Sequence, residues 1–208
     1  MTLAERYLLA RPPLGTYTLV TTDTATGASP HTVDTTGIAD GDLCVWAMTT
    51  TNSAPNVLGP EGGGWTELWR GDAGSNEIGT CWFKIADGSE PSTWDWTHSA
   101  GSLATSAMMA LTTPHTTLIH ASAVVERTVI PGFASPPWRG LWIAVVHISN
   151  NLNARVLTPV PVVTLSDNSQ TAHLGVEGLA SLSDAPLGDV YALFTSAVDF
   201  VVGGAVFA

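Results

Sequence analysis

Charge is what this sequence has least of: among 208 residues, Asp, Glu, Lys and Arg together make 12%, about half the usual share. Basic residues are the scarcest, with one lysine, Lys84, and six arginines. A net charge of −11 leaves no basic stripe for phosphates, so neither nucleic acid nor an anionic membrane is expected as a partner. Cysteine is reduced to Cys44 and Cys81, with no CxxC and no Cys/His cluster, so zinc is not expected. No apolar run approaches the roughly 20 residues of a membrane span. The opening MTLAERYLLARPP breaks its short apolar run with Glu5, Arg6 and Arg11, unlike a secretory signal, so synthesis in the cytoplasm without secretion by a signal peptide is expected. No segment sustains a 3.6-residue period, which leaves β structure as the fold class.

What is present is apolar and turn-rich. Hydrophobic residues reach 45% and mean hydropathy is +0.22, so a folded monomer has few charges to spread over its surface and a partner is expected to cover part of it. Five of the eight tryptophans fall between Gly62 and His98, a stretch that reads as three strands and two turns. Thr93 to His98 alternates strictly, placing Trp94, Trp96 and His98 on one face and Thr93, Asp95 and Thr97 on the other. In Ile78 to Ile85 the set Cys81, Phe83 and Ile85 is the expected core face, against Thr80, Trp82 and Lys84. Between these strands, Ala86-Asp87-Gly88-Ser89-Glu90-Pro91 combines a residue that accepts positive φ, two that bond their own backbone and a proline, which predicts a turn.

The chain as a whole reads as an N-terminal arm, 1–13, followed by a single domain, 14–208, with two pseudo-repeats of about 14–113 and 114–208. Tyr17 to Thr22 and His31 to Thr35 are short β segments on either side of a Thr/Gly/Ser-rich loop, Asp23 to Pro30. Gly41 to Met48 is apolar on both faces and so is expected in the middle of a sheet. Leu103 to Thr112 is a strand of small residues, Thr116 to Ala123 and Val124 to Ile130 are weaker β segments, and Pro131 to Arg139 is a crossing loop. From Gly140 the pattern restarts: Gly140 to His147 mirrors Gly41 to Met48, Val162 to Leu165 falls where Trp65 to Leu68 did, Val190 to Thr195 echoes the Trp94 strand and Val201 to Phe207 echoes the Leu103 strand. The predicted fold is all-β: an antiparallel two-sheet sandwich, jelly-roll-like, with a degenerate internal duplication. Leu141, Ile143 and Val145 share one strand face and Trp142, Ala144, Val146 and Ile148 the other. Only one can meet the core, so loops or a second subunit must cover the remaining face.

Groups for chemistry are present but not arranged for it. Asp40, Asp42, Asp87 and Glu90 lack the D-x-D-x-D-G spacing of a calcium loop and read as solvated turn carboxylates. The six histidines are widely separated, and His98 and His147 read as satisfied core or interface residues. There is no GxSxG elbow, and Asp95 sits on the opposite strand face from Trp94 and Trp96, unlike the paired carboxylates and aromatic platform of a glycosidase. No catalytic residue, cofactor or metal is therefore predicted. Cys44 and Cys81 read as buried thiols, with a disulfide left open because sequence does not give their separation. Trp69, Trp82 and Trp138 are candidate glycan platforms, with core or interface packing as the alternative. In the arm, Leu3, Tyr7, Leu8 and Leu9 are too few to form a core, and Pro12-Pro13 holds them stiffly away from the first strand. They form a candidate assembly interface.

GDLCVWA at 41–47, GWTEL at 64–68, WFKIADGSEPSTWDWT at 82–97 and the small-residue strand ending MALTT resemble a family of β-sandwich domains found in tailed-phage virion proteins and some secreted bacterial proteins. The likeness extends more weakly through the second half, where the GWT-like motif is reduced to Val163-Thr164-Leu165. The resemblance implies a virion-surface or tail-associated structural role, with homo-oligomer formation and shell or tail proteins as partners. Compactness, the lack of a fibrous repeat and the short arm favour capsid decoration (a cement protein). A tail-fibre or tail-tip module binding a receptor or host surface glycan is the alternative.

Overall fold

The computed structural model describes residues 17–27, 29–51, 59–72, 78–98, 103–128, 132–133, 141–148, 156–158, 163–166, 173–179, 190–193 and 198–208. The arm and Trp138 lie outside the described residues. In chain order the strands are β1 (Thr18–Gly27), β2 (His31–Asp34), β3 (Leu43–Thr51), β4 (Thr66–Asp72), β5 (Ile78–Ile85), β6 (Thr93–Trp96), β7 (Leu103–Thr112), β8 (Leu118–Thr128), β9 (Gly132–Phe133), β10 (Leu141–Ile148), β11 (Val156–Thr158), β12 (Val163–Ser166), β13 (His173–Leu179), β14 (Val190–Leu193) and β15 (Val198–Phe207). The described residues contain no helix. All pairings are antiparallel, and two five-stranded sheets pack face to face as a sandwich.

Each sheet comes from one half of the chain. The first has the order β1-β7-β3-β5-β4. The second, read from its β8 edge, is β8-β15-β10-β13-β12, the same order once each strand is matched to its counterpart. The correspondence reaches the small ribbons, where β2 pairs with β6 and β9 with β14. It also reaches a single-residue irregularity. In β1 the register slips between Leu19, opposite Leu111, and Thr21, leaving Val20 as an extra residue. In β8 it slips between Leu118, opposite Phe207, and His120, leaving Ile119 extra. A bulge at one place in two copies is an inherited feature rather than an accident of packing. The predicted duplication is thus present in both five-stranded sheets and in the ribbon pairs, with β11 the one strand of the second half that has no counterpart among the described residues.

Its phase, however, differs from the Gly41/Gly140 alignment by one residue. Leu43, Val45 and Ala47 point into the sandwich core, and so do Leu141 and Ile143. Leu43 therefore corresponds to Leu141, not to Trp142. Because side chains alternate along a strand, a one-residue slip would exchange core and outer faces. The Thr-rich stretch expected as a loop after Thr22 instead continues β1 to Gly27, paired with the Ala/Ser end of β7. Threonine is β-branched, and a ladder partner with small side chains accommodates it. Three strands carried no readable signal, and one of them, β9, pairs its two residues with β14 inside the segment expected as a crossing loop, Pro131 to Arg139. β13, HLGVEGL, is diluted by two glycines and a glutamate, and β11 has only three residues.

The core between the sheets holds β3, β5 and β7 against β10 and β15, with Phe83 and Phe207 meeting edge to face at 5.1 Å. Trp69 is 5% exposed and lies in this core. Opposite it Gly203 of β15 leaves the room its indole needs, since a Cβ there would fall 2.1 Å from Cε2. The outer face of the first sheet is buried as well. Cys44, Trp46, Met48 and Met108 lie under Val33, Trp94 and Trp96 of the β2–β6 ribbon. This makes β3 apolar on both faces, as its sequence suggests. The outer face of the first sheet is thus covered by its own chain. In the second half β9 approaches β15.

Candidate functional site

The residues singled out in the sequence converge on the β2–β6 ribbon and the turns that seat it. Gly88 has φ 77°, and Asp87 Oδ1 accepts from the Ser89 amide at 2.9 Å and its hydroxyl at 2.7 Å. These bonds hold the exposed Asp87 carboxyl below its ordinary range. Glu90 then turns inward. Its Oε2 accepts from Lys84 Nζ at 2.8 Å and from Trp94 Nε1 at 3.0 Å, while Oε1 accepts from the Asp87 amide at 3.1 Å. The two charged side chains are 9% and 5% exposed, and Lys84 Nζ also stands 5.6 Å from the Trp94 ring centroid. The protein's one lysine thus forms a buried pair that ties β5 to β6.

Expectation and structure part here for two of the four carboxylates. Asp40 and Asp87 are exposed as expected. Asp42 and Glu90 are not solvated: Asp42 is buried, accepting from the Thr112 hydroxyl at 2.7 Å and the Ala39 amide at 2.8 Å. A carboxylate can be buried when each oxygen has a fixed donor, and both turns supply such donors. No group of three or more His, Cys, Asp or Glu placed to hold a metal ion occurs among the described residues.

Four tryptophans form a continuous layer. Trp96 meets Trp46 at 5.2 Å, Trp46 meets Trp65 at 5.9 Å and Trp65 meets Trp94 at 5.0 Å, all tilted or edge to face, the geometry favoured by ring quadrupoles. The loop before β4 closes over this layer. The Glu61 amide donates to the Asp95 carbonyl at 2.7 Å, and the Thr97 hydroxyl donates to the Glu61 carboxylate. Asp95, on the outer face as expected, accepts from the Thr32 hydroxyl at 2.6 Å.

At the far end of the ribbon two histidines are buried together. His31, fully buried, has its Nδ1 2.8 Å from Ser106 Oγ on β7 and its Nε2 3.4 Å from the Gly27 carbonyl. The carbonyl only accepts, so Nε2 carries the proton and Nδ1 accepts from Ser106. His98, also buried, meets His31 edge to face at 5.2 Å, and its amide donates to Ser29 Oγ at 2.9 Å. Burial, opposed by the Gly27 carbonyl and assisted by His98, pushes the His31 pKa down to about 4, so the ring is neutral at pH 7. Ser106 and His31 are by distance a nucleophile–base pair. Their setting differs from a catalytic one. Both are fully buried, the second ring nitrogen faces a carbonyl where a triad has a carboxylate, and a substrate carbonyl has no approach to Ser106.

The candidate glycan platforms separate. A bulge at Leu68 sends both Leu68 and Trp69 into the core, where strict alternation would have turned Trp69 outward. Trp69 therefore presents no face to a sugar. Trp82 is half-buried, its Nε1 donates to Thr80 Oγ1 at 3.0 Å, and a Cβ on Gly59 would fall 2.8 Å from its ring carbons, so one ring face is covered by the chain. Trp138 and the arm residues Leu3, Tyr7, Leu8 and Leu9 lie outside the described residues. Cys44 points into the tryptophan layer and Cys81 into the sandwich core, so the two thiols occupy opposite faces of one sheet and stay free. Burial pushes the Cys44 thiol up to about 12 and Cys81 well above its ordinary value.

Sequence reading missed the Lys84–Glu90 pair and the His31–Ser106 contact. The first had a signal, a sole lysine six residues before a turn glutamate. The second had none, because 75 residues separate its partners. Compared with protein-family models, with curated proteins and with solved structures, the chain matches none.

Proposed function

We propose that the chain is a non-enzymatic structural protein of a bacteriophage-type virion, an oligomeric capsid decoration protein. The observation that carries this reading is the use made of the three motifs. Leu43 and Leu68 sit in the sandwich core, Asp42 binds Thr112, Trp65 joins the tryptophan layer, and Glu90 locks β5 to β6. These residues, which carry the resemblance to virion domains, close joints between layers, as a shell-bound protein requires. The scarcity of charge, 12% of residues, supports a surface partly covered in the assembled state. Its partners are further copies of itself and shell proteins, with Leu3, Tyr7, Leu8 and Leu9 of the arm as the docking segment.

Co-sedimentation tests this directly. Purified protein added to particles that lack it should bind saturably and pellet with them, and failure to bind at any concentration would overturn the decoration role. Glycan-array binding lost on Trp138→Ala would instead favour a receptor-binding tail module.

A further inference from the structure

We propose that the β2–β6 ribbon is an acid-released cover over the tryptophan layer, latched to the first sheet by His31 and His98. The geometry is that of a strap fastened at both ends. One end is held by the Lys84–Glu90–Trp94 cluster and by the Thr35 amide on the Ser92 carbonyl at 3.2 Å. At the other end, His31 opens β2 and His98 follows the last residues of β6, and their rings are in contact. His31 reaches Ser106 on β7 and the Gly27 carbonyl at the end of β1, so this corner joins the ribbon to two strands of the sheet below. Beneath the strap lie Trp46, Met48 and Met108, which meet water only if it lifts.

Protonation is the event this corner resists. His31 is neutral and fully buried, and the one titratable group acting on it is a second histidine. Among the described residues, no carboxylate is turned toward it from the elements around it. On β1, Asp23 accepts from the Thr24 and Asp34 amides. On β2, Asp34 accepts from Thr36, and on β6, Asp95 accepts from Thr32. β7 carries no charged residue, and β3 contributes Met48 and Thr50 at this level. Among the described residues, a proton added to His31 therefore meets His98, the Ser106 hydroxyl and one carbonyl, whereas a lifted ribbon gives the imidazolium to water. With the ring titrating at about 4 in place and 6.5 when solvated, the opening equilibrium gains roughly 300-fold once pH is below both values, and roughly 40-fold between about pH 6.5 and about pH 4.5. The ribbon is the element free to respond, because it is two short strands while β3 and β7 are central in a five-stranded sheet.

Hydrogen exchange on the intact chain, corrected for the intrinsic pH dependence of exchange, reads this out. Amides of β2 and β6 should lose protection by tens of fold as pH falls over that range, while β3 and β7 keep theirs. His31→Gln should make ribbon protection independent of pH. Equal loss in all four strands, or a pH response that survives in His31→Gln, overturns the proposal. Should that variant fail to fold, the ring of His31 followed by NMR in the natural protein decides alone. A midpoint near 4 is required, and a midpoint near 6.5 refutes it.

Discussion

Gly203→Ala should be among the most damaging single-methyl additions available to this protein. The new Cβ would lie 2.1 Å from Cε2, 2.3 Å from Nε1 and 2.5 Å from Cδ2 of Trp69, where carbon contacts normally begin above 3.4 Å. The indole is 5% exposed in the packed sandwich core, so the ring or the β15 backbone must move by more than an ångström. Overpacking of this kind costs about 1–3 kcal/mol. The lower entropy of an unfolded chain with alanine returns about 0.4–1 kcal/mol. A net loss of about 1–2 kcal/mol is expected, read as a lower urea midpoint with unchanged slope when unfolding is followed by far-UV circular dichroism. Trp69→Phe alone should also destabilise, by leaving a cavity. The double variant should lose less than the sum, with a coupling of about 1–2 kcal/mol, because the smaller ring makes room for the methyl. A Gly203→Ala protein within about 0.5 kcal/mol of the natural one, or additive effects in the double variant, would show that Trp69 does not fill the space opposite Gly203.

Four further outcomes are expected. Glu90→Gln leaves Lys84 buried beside an uncharged partner and should cost about 3–5 kcal/mol, whereas Lys84→Met combined with Glu90→Gln should cost less, both by urea titration at neutral pH. Below pH 6.5 stability should fall: the folded-state pKa of His31 is depressed to about 4, so its contribution is complete above the unfolded value and is lost as pH drops toward 4, by about 3 kcal/mol in all. Neither Cys44 nor Cys81 should react with a thiol reagent until denaturant is added, because burial holds both thiols protonated. Deleting residues 2 to 11 should leave the far-UV spectrum unchanged and weaken assembly on particles. Full occupancy by the truncated chain would remove the arm from the account.

The sequence disclosed the fold wherever a pattern repeats over neighbouring residues. Alternation in Thr93 to His98 placed Trp94, Trp96 and His98 inward, and they are buried. The two apolar faces of β3 meant two layers, and both exist. What stayed hidden depended on one-residue shifts or on distant partners. The bulge at Leu68 inverted the orientation of Trp69, and the phase of the duplication differed by one position because a glycine match outweighed side-chain parity. Glu90 looked like a surface turn residue until Lys84 and the Trp94 indole were found on either side of it. His31 and Ser106 meet only because β2 folds back across β7, a juxtaposition that no local pattern encodes.

The central claim is that this duplicated sandwich is a shell decoration protein, and counting copies in purified particles tests it most directly. Quantitative mass spectrometry against the major shell protein should find on the order of hundreds of copies per particle, as repetition over a symmetric shell requires. About a dozen copies or fewer would place the protein at a tail, and its absence from particles would contradict the account.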